Sequence, residues 1–208
     1  MNPQQKIAIV DYDAGNLTSV VNAFEFVGAT ASVVTEPADL VSFDKFVIPG
    51  VGAFEPGMQH LQERNLEKAL GEQVLGEKKP ALCICLGMQL LATRSSEHGD
   101  HMGLNWIPGR VEKIDRTEMG LRVPHIGWNE VTFRGQEPCL AHLEDNADFY
   151  FANSYHFIPD DKSVIVGTYE YGSELVGIMR KDNIFAAQFH PEKSHHVGLG
   201  VIKNFADC

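Results

Sequence analysis

The chain has 208 residues, 44% hydrophobic and 22% charged. That suits one sizeable globular domain with its own core and is too short for two ordinary ones. A formal charge of −11 with no block of basic residues argues against a nucleic-acid surface and against attraction to anionic lipid. No apolar run has the length of a membrane span, and the N-terminus lacks a signal-peptide layout. The four cysteines (Cys83, Cys85, Cys139 and Cys208) follow no disulfide framework, so reduced thiols in a cytoplasmic protein are expected.

Lys6 to Tyr12 reads as a first strand, apolar enough to be central. Asp13–Asn16 is a turn, and Asn16 suits the N-cap of a helix running to about Val27. The apolar residues of that helix (Leu17, Val20, Val21, Phe24 and Val27) recur at helical spacing, and Gly28 closes it. Ala31–Val34 and Lys45–Ile48 are the second and third strands, the third cut short by Pro49-Gly50-Val51-Gly52. Helical pattern resumes at Phe54 or Met58 and runs to Leu75; its stripe of Leu61, Leu66, Ala69, Leu70 and Val74 is most simply a helix on a sheet. A short apolar strand then ends at Cys85, and a helix pattern starts at Met88.

This rhythm predicts a mixed, mostly parallel α/β sheet flanked by helices. Ligands bind beyond the C-terminal strand ends of such sheets, which would put Tyr12–Asn16, Pro49–Phe54 and Cys85–Gly87 on one rim. From Gly109 onward the pattern turns β-rich: Arg110–Ile114, Val131–Phe133, Val164–Tyr169, Leu175–Met179 and Ile184–Gln188 read as strands with antiparallel pairs among them. A last helix spans about Val197–Ala206. No repeat or linker interrupts the chain, so residues 1–208 are expected to be one domain.

A strand, a sharp turn and a helix around Cys85 would lift its thiol from the sheet edge and aim backbone N–H groups and a positive helix end at it. A thiol held so is acidified towards the reactive thiolate. The plain alternative is that Cys83 and Cys85 are two buried core cysteines. Far downstream, His190 and Glu192 stand two residues apart on a stretch that, if extended, points both side chains to one side. Nucleophile, base and a group that orients the base make a complete set for acyl transfer. The nine histidines include His98, His101, His195 and His196, but none has zinc-ligand spacing, and Gly50-x-Gly52 lacks the third glycine of a dinucleotide loop.

Cys85-Leu86-Gly87-Met88-Gln89 together with His190-Pro191-Glu192 resembles the class I (triad) glutamine amidotransferases, which are flavodoxin-like in fold. Asp11-Tyr12, Gly15-Asn16-Leu17, Pro49–Phe54, Val123–Asn129, Tyr150-Phe151, Ser154-Tyr155 and Gln188–Ser194 extend the resemblance over essentially the whole chain. They point to the branch of that family that serves histidine biosynthesis. The resemblance implies that Cys85 attacks the carboxamide of L-glutamine, that His190 relays the proton and that Glu192 orients His190. It also implies an oxyanion hole from the N–H groups of Leu86 and Val51. Gly52, Gln89, Glu97, Ser154 and Tyr155 would lie around the substrate. No cofactor and no metal are implied. The implied partner is a (β/α)₈-barrel cyclase that takes the ammonia through a closed interface and makes imidazole glycerol phosphate and an aminoimidazole carboxamide ribotide. The same chemistry could feed another synthase, such as one that amidinates cell-surface sugars, and a non-catalytic binding subunit could keep the fold. Two departures stand out: Cys83, where the family commonly has glycine, could compete with Cys85 or pair with it, and Asn153 stands where histidine is frequent.

Overall fold

Strands buried along their whole length, apolar but for Lys45 at the start of the third, form the centre of the main sheet. The computed structural model of the chain describes residues 5–114 and 120–208, so part of the strand-rich stretch expected between Gly109 and Phe133 lies outside the described residues. All four residues of β1 (Ile7–Val10) are buried, as they must be in a strand covered on both faces. It pairs in parallel with β2 (Ala31–Val34) and with β3 (Lys45–Gly50). β3 pairs in parallel with β4 (Ala81–Cys85), and β4 with β13 (Ile184–Ala187). Beyond β13 the sheet turns antiparallel through β12 (Glu174–Lys181), β11 (Ile165–Glu170), β8 (His125–Phe133) and β9 (Ala147–Asn153). The nine-stranded order is β2-β1-β3-β4-β13-β12-β11-β8-β9.

Helices cover both faces. α1 (Leu17–Phe26) and α5 (His195–Asp207) lie on one, where Phe24 meets Phe205 edge-on at 6.4 Å and Val20, Val201 and Ile202 share the apolar layer. α2 (Phe54–Glu63) and α3 (Leu66–Gly71) cover the other with Phe54, Met58, Leu61, Leu66 and Leu70. The single helix expected up to Leu75 is thus broken. Asn65 adopts a left-handed conformation (φ 57°) between α2 and α3, and a wide turn over Glu72–Gly76 follows α3. Asn16 holds the N-cap position of α1 without a side-chain capping bond, and Gly28 (φ 80°) ends that helix as expected.

A second sheet, not foreseen from the sequence, has the order β10-β7-β5-β6. It joins β10 (Tyr155–Pro159), β7 (Gly109–Lys113) and the two-residue strands β5 (Arg94–Ser95) and β6 (His101–Met102). β8 is also longer than expected, and β9, whose buried residues Ala147, Phe149, Phe151 and Asn153 alternate with more exposed ones, was unforeseen. Among the described residues no helix is long and apolar enough to cross a membrane.

Candidate active site

β4 ends in a tight elbow. Cys85 sits there with φ 52° and ψ −107°, a strained conformation for a residue with a side chain. The helical turn after it, α4 (Leu86–Gln89), has only four residues. The expected helix therefore starts two residues early and is too short for a macrodipole. What it presents near the sulfur are the first N–H groups of the turn, which have no partner within it. Gly87 makes the elbow possible, since a Cβ there would lie 1.9 Å from the carbonyl oxygen of Ile48. Gly50, opposite Cys85 in the β3–β4 register, is equally confined: its Cβ would lie 2.3 Å from the Tyr12 hydroxyl and 2.9 Å from Leu86 Cβ.

The elbow separates the two cysteines. Cys83 lies in register between Ile48 and Ala186 and belongs to the apolar layer under α2 and α3, whereas Cys85 joins the opposite layer. Alternate positions of a strand would put both thiols on one side, but the turn at Cys85 ends the alternation. Both thiols are free; Cys83 is fully buried, and burial pushes its pKa up. A competing nucleophile or a sulfur pair at Cys83 has no place in this arrangement.

His190 faces Cys85 from the neighbouring strand. β13 ends at Ala187, and Pro191–Lys193 form a single 3₁₀ turn. His190 and Glu192 meet through that turn rather than through continued strand geometry. Nδ1 of His190 lies 2.8 Å from Oε1 of Glu192, with both side chains buried. That leaves the other ring nitrogen for Cys85, whose interaction with the imidazole is among the causes that raise its pKa. Burial disfavours a charge on His190, but the hydrogen bonds and charges of Cys85 and Glu192 outweigh it and raise its pKa to about 10. The segment is clamped from below: the His190 N–H donates to Tyr150 O at 2.9 Å, and Ser194 Oγ donates to His190 O at 2.6 Å. Ser194 Oγ also accepts from the Tyr150 N–H at 3.0 Å. Gly198 lets α5 start against this turn, since a Cβ there would lie 2.0 Å from Pro191 O.

The other expected residues lie on the elbow turn, on the loop after β3 and on the segments around β5, β6, β9 and β10. Gln89 is buried in the elbow turn and donates to Tyr155 O at 3.0 Å. Glu97, between β5 and β6, accepts from the Phe54 N–H at 2.7 Å and so caps α2. Burial first and the charge of Glu97 second raise the pKa of Tyr155. Ser154 joins β9 to β10, its carbonyl accepting from the Ile114 N–H at 2.9 Å. Val51 and Gly52 (φ 126°) form the loop after β3, with Val51 51% exposed and its nitrogen against Gly15. Asn153 is buried and donates to Tyr155 O at 2.9 Å and to the Tyr169 hydroxyl at 3.4 Å.

Two residues at the site went unassigned from sequence. The Tyr12 hydroxyl is buried beside Gly50 with no hydrogen-bond partner among the described residues, and burial holds its pKa well above the ordinary 10. Gln188 is buried with Nε2 3.6 Å from the sulfur of Cys85. The signal for it was the motif itself, Gln188-Phe189-His190-Pro191-Glu192, in which only the last residues were given roles.

The family model described as glutamine amidotransferase class-I matches residues 8–207. The imidazole glycerol phosphate synthase subunit HisH of Geobacter sulfurreducens is 47% identical over 206 residues, covering 97% of this chain and 98% of that protein. The subunit HisH 1 of Campylobacter jejuni is 45% identical over 200 residues, covering 96% and 98%. Among solved structures, one described as PurLQS from Thermotoga maritima superposes with a TM-score of 0.77 over 99% of both chains at 16% identity, a likeness of fold.

Proposed function

The chain belongs to the class-I glutamine amidotransferase family, and we propose that within it the protein is the glutaminase subunit of an imidazole glycerol phosphate synthase, acting in histidine biosynthesis. It hydrolyses L-glutamine to glutamate and ammonia. The observation that carries the chemistry is a strained elbow thiol, Cys85, beside a buried imidazole, His190, whose Nδ1 is held by Glu192 at 2.8 Å.

The Cys85 sulfur adds to the carboxamide carbon of glutamine. The oxygen that becomes negative needs fixed donors; the N–H of Leu86 supplies one at the start of the elbow turn, and the N–H of Val51 supplies the other. Val51 sits between Gly50 and Gly52, so reorienting its peptide meets little steric resistance. His190, held above neutrality, has a proton for the departing nitrogen, so ammonia leaves and a glutamyl thioester remains. Water, activated by the now neutral His190, releases glutamate and restores the thiol. Gln89, Glu97, Gly52, Ser154 and Tyr155 hold the substrate around the sulfur. Glu97 accepts the Phe54 N–H through one oxygen, so its carboxylate reaches the substrate from the start of α2.

Ammonia released into water becomes ammonium and loses its nucleophilicity, which favours delivery through a closed interface to a (β/α)₈-barrel cyclase. The names of the two HisH relatives, which the chain matches along nearly their full length, support that acceptor. The test is glutamate release by the purified protein alone, with the cyclase, and with cyclase plus its nucleotide ligand, beside Cys85→Ala. The expected result is stimulation by the complete mixture and loss in the variant. Reactive Cys85 without stimulation by that cyclase would assign a different acceptor synthase, and an inert Cys85 in every mixture would reduce the chain to a binding subunit.

A further inference from the structure

The β4–β13 register ends on Ile84 opposite Ala187. One step further along both strands brings Gln188 beside Cys85. The side chain of Gln188 is fully buried and engaged at both ends: Nε2 donates to Cys85 Sγ at 3.6 Å, and Oε1 accepts from Gln89 Nε2 at 2.9 Å. The Gln89 amide nitrogen also donates to the backbone carbonyl of Tyr155 at 3.0 Å.

A carboxamide can be turned end for end, and only its partners decide which end faces where. Here the decision starts from a group with no choice, because a backbone carbonyl can only accept. Tyr155 O therefore takes the nitrogen end of Gln89. The second hydrogen of that nitrogen meets Gln188, which must answer with its oxygen. The nitrogen of Gln188 is left facing the sulfur. Turning Gln89 around would set its oxygen against the oxygens of Tyr155 and Gln188, and turning Gln188 around would set nitrogen against nitrogen and an oxygen lone pair against the sulfur. The chain of three contacts thus transmits one polarity from Tyr155 O to Cys85 Sγ.

We propose that Gln188 is a further catalytic residue, donating an N–H to the nucleophilic sulfur and stabilising its anionic form, and that Gln89 is the positioning residue that keeps the Gln188 amide donor-end inward. This rests on the reading of Cys85 as the nucleophile. A hydrogen bond to a charged acceptor lies in the range where its loss costs about tenfold or more in the balance between charged and neutral forms.

The experiment is the pH dependence of Cys85 alkylation by iodoacetamide, read residue by residue by mass spectrometry on the full chain. Gln188→Met keeps the length and removes the donor. Its Cys85 alkylation at neutral pH should fall about tenfold, with the profile moving about one unit to higher pH and the plateau rate at high pH retained. Gln188→Glu, which turns a carboxylate oxygen to the sulfur, should move the profile further, and Gln89→Met should move it part of the way. Unchanged profiles in both Gln188 variants overturn the proposal even if glutaminase turnover falls, because a packing role would not touch the titration. If Gln188→Met fails to fold, Gln89→Met decides: a shifted profile supports the relay and an unchanged one refutes it. A Cys85→Ala protein that still hydrolyses glutamine is a different result, which removes the nucleophile reading and the proposal with it.

Discussion

Glu192→Gln isolates one charge in the buried pair that sits behind the thiol. The two side chains are 2% and 5% exposed, and the replacement keeps the shape while removing the negative charge. A hydrogen bond to a charged group contributes about 1.5–3 kcal/mol, and one pKa unit corresponds to about 1.4 kcal/mol. His190 should therefore titrate about one to two units below its present value of about 10. The sign follows from proton binding. Between the ordinary 6.5 and about 10 the folded chain holds a proton that the unfolded chain has released. This contribution to stability is complete below 6.5 and is lost as pH rises through the folded value. In the variant the loss finishes at lower pH. Thermal melts should then show the widest gap between parent and variant near pH 6, a narrower gap near pH 9, and closure above about pH 10. Turnover of the partner-stimulated enzyme should fall by roughly a hundredfold, the usual scale of positioned acid–base help. A melting gap of constant size across this range would refute the reasoning, because it would mean that Glu192 supports packing and not the charge on His190.

Gly87→Ala drives a methyl into the Ile48 carbonyl 1.9 Å away; the elbow must shift, with a loss of about 1–3 kcal/mol in urea unfolding and collapse of glutaminase activity. Lys45→Met removes a buried ammonium that donates to the carbonyls of Phe205, Ala206 and Cys208 at 2.9, 2.9 and 2.5 Å. Unfolding should be easier by about 1–3 kcal/mol, while turnover of the folded protein stays within about twofold. Native alkylation should modify exposed Cys208 and leave fully buried Cys83 untouched until the protein unfolds; early labelling of Cys83 would contradict the elbow geometry.

What the sequence disclosed follows a physical pattern. β1, β3 and β4 are buried on both faces, and their unbroken apolar runs are visible without any partner. The α2–α3 break was hidden because Leu61, Leu66, Leu70 and Val74 stay buried across it; the left-handed Asn65 changes direction without spoiling the spacing. β5 and β6 have two residues each, too few for any periodicity to show. β9 does alternate, yet its role depends on pairing with β8, which local pattern does not report. At the site, Cys85, His190 and Glu192 were legible as a motif. The relay through Gln89 and Gln188 was not, because it depends on the pairing of β4 with β13, strands about a hundred residues apart in sequence.

That pairing has a consequence for how such a protein can diversify. Adjacent strands lie about 4.8 Å apart, and β4 and β13 bring the thiol and the imidazole to the same edge of the sheet. The gap between the thiol and the imidazole is therefore set by the end of that ladder together with the clamped turn just beyond it, both inside the fold. The short stretch between β11 and β12 lies outside that frame and can be altered to suit a new neighbour. The reacting pair would keep its spacing, so recognition of an acceptor and cleavage of the amide can be altered independently.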